Sequence, residues 1–360
     1  MLIGNIQHQM RRLHTGYHPG PDGGIIYYRH LFFDTERMCL THRQNFTRRC
    51  TCCHRFEPVN EPFADLNDGG RCTCYACCRS VIVDSEDAQP LWTNVVKFFE
   101  EKLGLPIPEG FREIPILIVG YNALNDQMNT MSNVHGGASQ IMTRGLCLTE
   151  HESLRTFQTS KMRYDSDTMS FVSSDDAASG YSNFEIPKIR NTTTTASVTA
   201  ILCLSGLPRD LSASILAHEA THAWIKLHPD FDVRRSIPSQ VEEGCAQLIA
   251  RLFLDELDNP SSSTSASAAA SATGTDDVDN NRRSNSNNNN SNNRNRRRRS
   301  EYNEDGPTDT KLRQYFKFTI DSDDHIIYGE GYRRAAAAYN EIGIESLLEH
   351  VIWHRSFPVT

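Results

Sequence analysis

Two histidines four residues apart, with a glutamate directly after the first, stand at His218-Glu219-Ala220-Thr221-His222. On a helix, residues i and i+4 share a face, so both imidazoles can ligate one zinc ion through their ring nitrogens. Glu219 then lies beside that face, where a carboxylate reaches a metal-bound water without being a ligand. Zinc lowers the pKa of such a water, and the carboxylate takes its proton as the water attacks a carbonyl. The pentapeptide alone also arises in ordinary helices that carry two histidines. Its surroundings argue against that reading. Ile215, Leu216, Ala223, Trp224 and Leu227 flank it with apolar side chains, which predicts a mostly buried helix, and buried polar groups need partners.

A third ligand should come from a following element. Gln240-Val241-Glu242-Glu243-Gly244-Cys245-Ala246 opens the next predicted helix. A glutamate in a Glu-Gly-x-Ala setting is the third ligand of the gluzincin arrangement, so Glu243 is preferred. Glu242 is then expected to orient a ligand histidine, although either carboxylate also suits a solvated helix N-terminus. Three protein ligands leave the fourth position to water, the pattern of a catalytic zinc. The oxyanion of a peptidase reaction needs a further donor. Tyr328 and His325 are the candidates, beside the plainer reading of both as loop packing.

Eight of the 11 cysteines lie between Cys39 and Cys78. Cys50-x2-Cys53 and Cys74-x2-Cys77 enclose 20 residues, and four thiolates at this spacing close a tetrahedral site with no open position, so a zinc there is structural. Cys52, Cys72 and Cys78 are alternates within the cluster. Cys39-x2-His42 resembles half of a second structural site that His14 and His18 could complete; surface histidines on an arm explain them equally. The expected metal content is therefore one catalytic zinc and one or two structural ones.

The elements that must position these residues follow from patterning. An amphipathic helix is predicted over Leu91 to Leu103, and a buried strand over Ile114 to Val119. A β-branched strand is predicted over Ser197 to Leu204, read as an edge strand with which an extended substrate would pair. Helices are predicted over Ser212 to Leu227, stopped by His228-Pro229, and over Ser239 to Asp255. Two C-terminal helices are expected at Tyr332 to Tyr339 and Ile344 to Ile352. Residues 259–307 run through Ser/Ala, acidic, Asn/Ser and Arg-rich stretches and have almost nothing apolar to offset ordering entropy; they read as a disordered insertion. The division is thus an arm at 1–38, a zinc module at 39–90 and a peptidase domain at 91–360.

The chain has 360 residues, a net charge of −8 and 38% hydrophobic residues, with a mean hydropathy of −0.52. The acidic balance argues against nucleic acid as a partner. No stretch approaches the roughly 18–20 apolar residues that span a bilayer, so no membrane association is expected. Met1 to Arg12 lacks an apolar signal core. The expected location is cytoplasmic, where reduced cysteines favour metal over disulfides. The basic run Arg282-Arg283 and Arg294 to Arg299 reads either as nuclear targeting or as a solvated loop.

With these residues in place, the chain resembles the plant LIM-domain zinc peptidases that are activated by ubiquitin and limit organ growth, the DA-type regulators. The matching stretches are Leu66-Asn67-Asp68-Gly69, Arg144-Gly145-Leu146-Cys147-Leu148, Ser214 through Trp224, Val241-Glu242-Glu243-Gly244-Cys245 and Tyr328-Gly329-Glu330-Gly331. The resemblance implies an α+β fold, a gluzincin-like peptidase domain preceded by a small LIM-like module. It implies a zinc endopeptidase with ligands His218, His222 and Glu243 and base Glu219. Its implied substrates are ubiquitin-pathway proteins such as E3 ligases and deubiquitinases, with ubiquitin a candidate partner. The alternative function is a non-catalytic, zinc-stapled adaptor for the same partners.

Overall fold

The computed structural model describes residues 27–33, 36–39, 47–58, 60–132, 143–165, 170–173, 184–258 and 307–359. His14, His18, His42 and the low-complexity stretch 259–306 lie outside the described residues, as does the side chain of Cys39. The proposed second structural site and the disordered insertion therefore fall outside them too, except that Pro307 opens a helix.

The cysteine-rich part is built from very short elements. Strands β1 (Tyr27–Arg29) and β2 (Arg37–Cys39) form an antiparallel hairpin, and β3 (Ala64–Asp65) pairs with β4 (Cys72–Thr73). Helix α1 (Tyr75–Cys78) and strand β5 (Val81–Ile82) follow. Helix α2 (Ser85–Lys97) begins six residues before the predicted start, because the Asp84 side chain accepts the Asp87 N–H at 2.8 Å and caps it. Its buried residues Ala88, Leu91, Trp92, Val95 and Val96 make one apolar stripe, and the helix leaves through a π turn at Phe98–Lys102.

A mixed four-stranded sheet then forms from β6 (Ile116–Val119), β7 (Gly145–Asp165), β8 (Ser170–Ser173) and β9 (Phe184–Leu204), with helix α3 (Tyr121–Ser132) after β6. The strand order is β6-β9-β7-β8, and only the β6–β9 pair is parallel. This corrects the edge-strand expectation over Ile201 to Leu204, whereas among the described residues Ser197 to Ala200 pair with β7 alone. Ile201 to Leu204 pair with β6 on one side and β7 on the other, and Ile201, Cys203 and Leu204 are fully buried, as residues of an interior strand are. The start of β7 has an open side as well. Strand β8 reaches only Met162 to Asp165, so among the described residues Gly145 to Glu150 are paired on one side alone.

Strand β10 (Leu207–Pro208) pairs with β5 and feeds helix α4 (Arg209–Leu227). Helix α4 is buried almost all round, which its apolar sequence requires, and His228 ends it in extended conformation before Pro229. Helix α5 (Ser239–Asp258) packs on it. Helix α6 (Pro307–Asp321) is not among the helices predicted from the sequence. Its polar outer face hides the inward Leu312, Tyr315, Phe316 and Ile320. Ion pairs fasten it where the two limbs of the chain meet: Arg313 to Asp210 at 3.0 Å and to Asp258 at 2.6 Å, and Lys317 to Asp255 at 2.7 Å and to Asp258.

Helices α7 (Gly329–Ile342) and α8 (Ile344–His354) complete the fold. Helix α7 meets α5 through glycines. A Cβ on Gly244 would sit 2.5 Å from the Gly331 carbonyl carbon and oxygen, and one on Gly331 would sit 2.4 Å from the Gln240 oxygen. Backbone lies against backbone there, and Tyr328 is drawn down onto Glu243's side of α5. We expect Gly244→Ala to lower stability by about 2 kcal/mol, the usual cost of overpacking, read as a reduced urea midpoint.

Candidate metal centres

Two groups of potential metal ligands stand out among the described residues. In the first, the sulfurs of Cys50, Cys53, Cys74 and Cys77 all lie within 4.8 Å of one another, and all four residues are buried. Cys53 Sγ and Cys74 Sγ are 3.5 Å apart. Ligands about 2.3 Å from a tetrahedral zinc stand about 3.8 Å apart, so this donor set fits such an ion. Cys74 N–H donates to Cys50 Sγ at 3.3 Å, and Arg55 Nε donates to Cys53 Sγ at 3.2 Å. Both contacts favour thiolates. Of the alternates, Cys52 sits against the quartet, its thiol meeting Cys50 and Cys77 and lying 3.8 Å from the Gly206 carbonyl, whereas Cys72 Sγ lies 3.2 Å from the Arg49 carbonyl and Cys78 is exposed.

The second group is His218, His222 and Glu243. The i, i+4 spacing on α4 brings the two Nε2 atoms to 3.3 Å, and Glu243 Oε2 reaches in from α5 at 3.1 Å from His218 Nε2 and 3.7 Å from His222 Nε2. Nitrogen and oxygen ligands about 2.0–2.1 Å from a tetrahedral zinc stand about 3.3 Å apart; the observed separations bracket that value. Glu242 Oε1 lies 2.8 Å from His222 Nδ1, which fixes the tautomer and leaves Nε2 for a metal. Burial pushes the His222 imidazolium down, but Glu243 and Glu242 outweigh it and hold its pKa up at about 10. Burial likewise pushes Glu242 up, yet His222 and Lys226 hold it down at about 2. The site is thus arranged to hold positive charge between its carboxylates, and the donor chemistry fits zinc.

These residues line a cavity of about 390 Å³. Glu219 stands on its wall, 7% exposed. Tyr328 also lines it, and burial together with Glu243 and Glu219 pushes its phenol pKa upward, so the hydroxyl stays neutral. His325 is not brought into the cavity lining. Its ring packs on Tyr328 at 5.3 Å and its Nδ1 accepts the Ile327 N–H at 3.2 Å, the loop packing that was its plainer reading. Sequence reasoning missed three contributors. Gly145 lies so close to α4 that a Cβ would meet Glu219 Oε1 at 2.6 Å; no other residue lets β7 approach the carboxylate this way. Lys226, one turn past His222, pairs with Glu242 at 3.5 Å. Cys147 lines the cavity as a thiol, pushed up to about 12 by burial.

The cysteine group is tied to this cavity. Buried Arg144, beside Gly145, donates to the Thr51 carbonyl at 3.0 Å, within the first cysteine pair. His54 Nδ1 and Tyr315 Oη share a hydrogen bond of 2.7 Å, and Arg71 Nη2 donates to the Ser205 carbonyl at 2.6 Å just before α4.

A family profile described as "DA1-like: Protein DA1" matches residues 108–354. The chain belongs to the DA1-like family. It is 33% identical over 345 residues to Protein DA1 of Arabidopsis thaliana, covering 95% of this chain and 55% of that protein. It is 32% identical over 336 residues to the LIM domain-containing protein HDR3 of Oryza sativa subsp. japonica, covering 93% of this chain and 59% of that one. Protein DA1-related 1 of Arabidopsis thaliana is 31% identical over 341 residues, covering 94% and 54%. This DA1-like chain therefore spans about half the length of the curated relatives it matches. No solved structure matches it. Among its described residues no helix is long and apolar enough to cross a membrane.

Elemental analysis of the DA1-like chain should give about one zinc fewer per molecule in a His218→Ala, His222→Ala double variant than in wild type. An unchanged count would mean that α4 holds no metal. Glu242→Ala should weaken zinc binding at this site by about 10–100-fold, the usual effect of losing a ligand's hydrogen-bond partner, measured by chelator competition.

Proposed function

We propose that this DA1-like chain is a zinc-dependent endopeptidase of gluzincin type, with His218, His222 and Glu243 as metal ligands and Glu219 as the base. The observation that carries the reading is the convergence of two imidazoles and one carboxylate at zinc spacing in an open cavity, with a second carboxylate on its wall. Three protein donors leave a position for water and substrate, whereas the four cysteines close theirs and read as a structural, LIM-like centre.

Bound at the trio, zinc would supply a Lewis acid and an acidified water. The chain's own residues supply the rest. Glu219 takes the proton from the attacking water and passes it to the leaving amide nitrogen. Gly145 gives that carboxylate its seat. Tyr328, neutral throughout, donates its phenolic hydrogen to the carbonyl oxygen as negative charge develops there. Glu242, backed by Lys226, keeps His222 in its ligand tautomer. An extended substrate pairs with the open side of Gly145 to Glu150, which corrects the strand but keeps the mode of recognition expected from the sequence.

We extend the reading to substrates: proteins of the ubiquitin pathway, such as E3 ligases and deubiquitinases, with ubiquitin a candidate partner. Family membership supports this extension.

Glu219→Gln should lower kcat by about 10²–10⁴-fold while leaving the zinc content unchanged. Cleavage at the wild-type rate would refute the role of Glu219, and no cleavage by wild type of any ubiquitin-pathway protein offered would favour the adaptor reading. N-methylating main-chain donors of a cleaved peptide should raise KM strongly; an unchanged KM would remove strand pairing.

A further inference from the structure

Helix α8 carries a second pair of histidines at the spacing of the first. Leu347, Leu348, Val351 and Ile352 face the core, which turns Glu349, Trp353 and His354 outward, with His350 half-buried beside them. The rings of His350 and His354 stand 4.4 Å apart between centroids with their planes 35° from parallel, closer than the 5.1 Å of the His218 and His222 rings. Two imidazoles on one turn suit zinc, copper or nickel, but two ligands leave a tetrahedral ion half bound.

The surroundings indicate where the other half comes from. Trp353 is 57% exposed next to the pair, whereas Trp92 and Trp224 are 3% and 1% exposed. Trp353 is therefore the aromatic that a second chain held at the histidine pair would cover. A two-fold axis through a metal ion presents the same pair from each chain, giving four imidazoles with no new residue type. Burial and the neighbouring His354 push the His350 pKa down, which favours the neutral, ligating form.

We propose that His350 and His354 form half of a transition-metal site that a second copy of this chain completes, so that a zinc or copper ion joins two chains across α8 and covers Trp353. This site is separate from the cavity on α4 and does not rest on peptidase activity.

The test uses untagged full-length chain, stripped of loosely held metal. Sedimentation analysis with zinc chloride at half an equivalent per chain beyond that which fills the α4 trio and the cysteine quartet should double the mass, and chelator should reverse it. A His350→Ala, His354→Ala variant should remain monomeric under the same conditions, while a His218→Ala, His222→Ala variant should still dimerise. Copper quenching of tryptophan fluorescence, measured in a His218→Ala, His222→Ala background so that no copper sits beside Trp224, should be lost when His350 and His354 are also replaced. A wild-type mass unmoved by zinc, a zinc-driven dimer that persists without the two histidines, or zinc uptake of one per chain with no change of mass would each overturn the bridge.

Discussion

Two imidazoles and a carboxylate crowd together within hydrogen-bond distance in a buried cleft, and the rest of the fold serves that contact. Such a group is costly in a low-dielectric interior unless positive charge joins it. The chain accordingly spends two long helices on it. Helix α4 supplies His218 and His222 from one face, and α5 supplies Glu243 for the metal position and Glu242 for His222. The helices run so that one partner follows another down the interface, Lys226 to Glu242, then His222, then His218 to Glu243.

Everything around these helices limits how far they can move. The glycine contact between Gly244 and Gly331 brings α7 against α5 at backbone distance, which brings Tyr328 into the same cavity. On the other side the sheet comes down on α4 through Gly145 and meets the carboxylate of Glu219. Side chains of ordinary size at either glycine would hold these elements apart, so the geometry of the site is set partly by atoms that are missing from the sequence.

The cysteine quartet is part of the same body. Arg144 spans from the first cysteine pair to the strand that seats Glu219, and His54 reaches Tyr315 on α6, whose next residues line the cavity. A structural metal in the quartet would stiffen short elements that bury little apolar area by themselves. The consequence is mechanical. The segment that holds the cysteine quartet also holds the strand beside the candidate base, although Thr51 and Arg144 are 93 positions apart in sequence.

The sequence by itself determined the local chemistry: which histidines share a face, which glutamate follows them, and which four cysteines have the spacing of a closed site. These are short-range facts, set by helical periodicity and by the tightness of a two-residue knuckle. It also located α4, α5 and the buried run ending at Leu204, where apolar patterning is dense. Tertiary structure alone decided the rest. Whether Ser197 to Leu204 lies at an edge depends on which strands flank it, and β6 and β7 come from distant parts of the chain. Helix α6 carries a narrow apolar stripe, Leu312, Tyr315, Phe316 and Ile320, inside an otherwise polar stretch, and ion pairs to Asp210, Asp255 and Asp258 fasten the rest of it. Lys226, Gly145 and Tyr328 each gain their role only from what packs opposite them, and periodicity along one segment carries no information about its neighbour across the core.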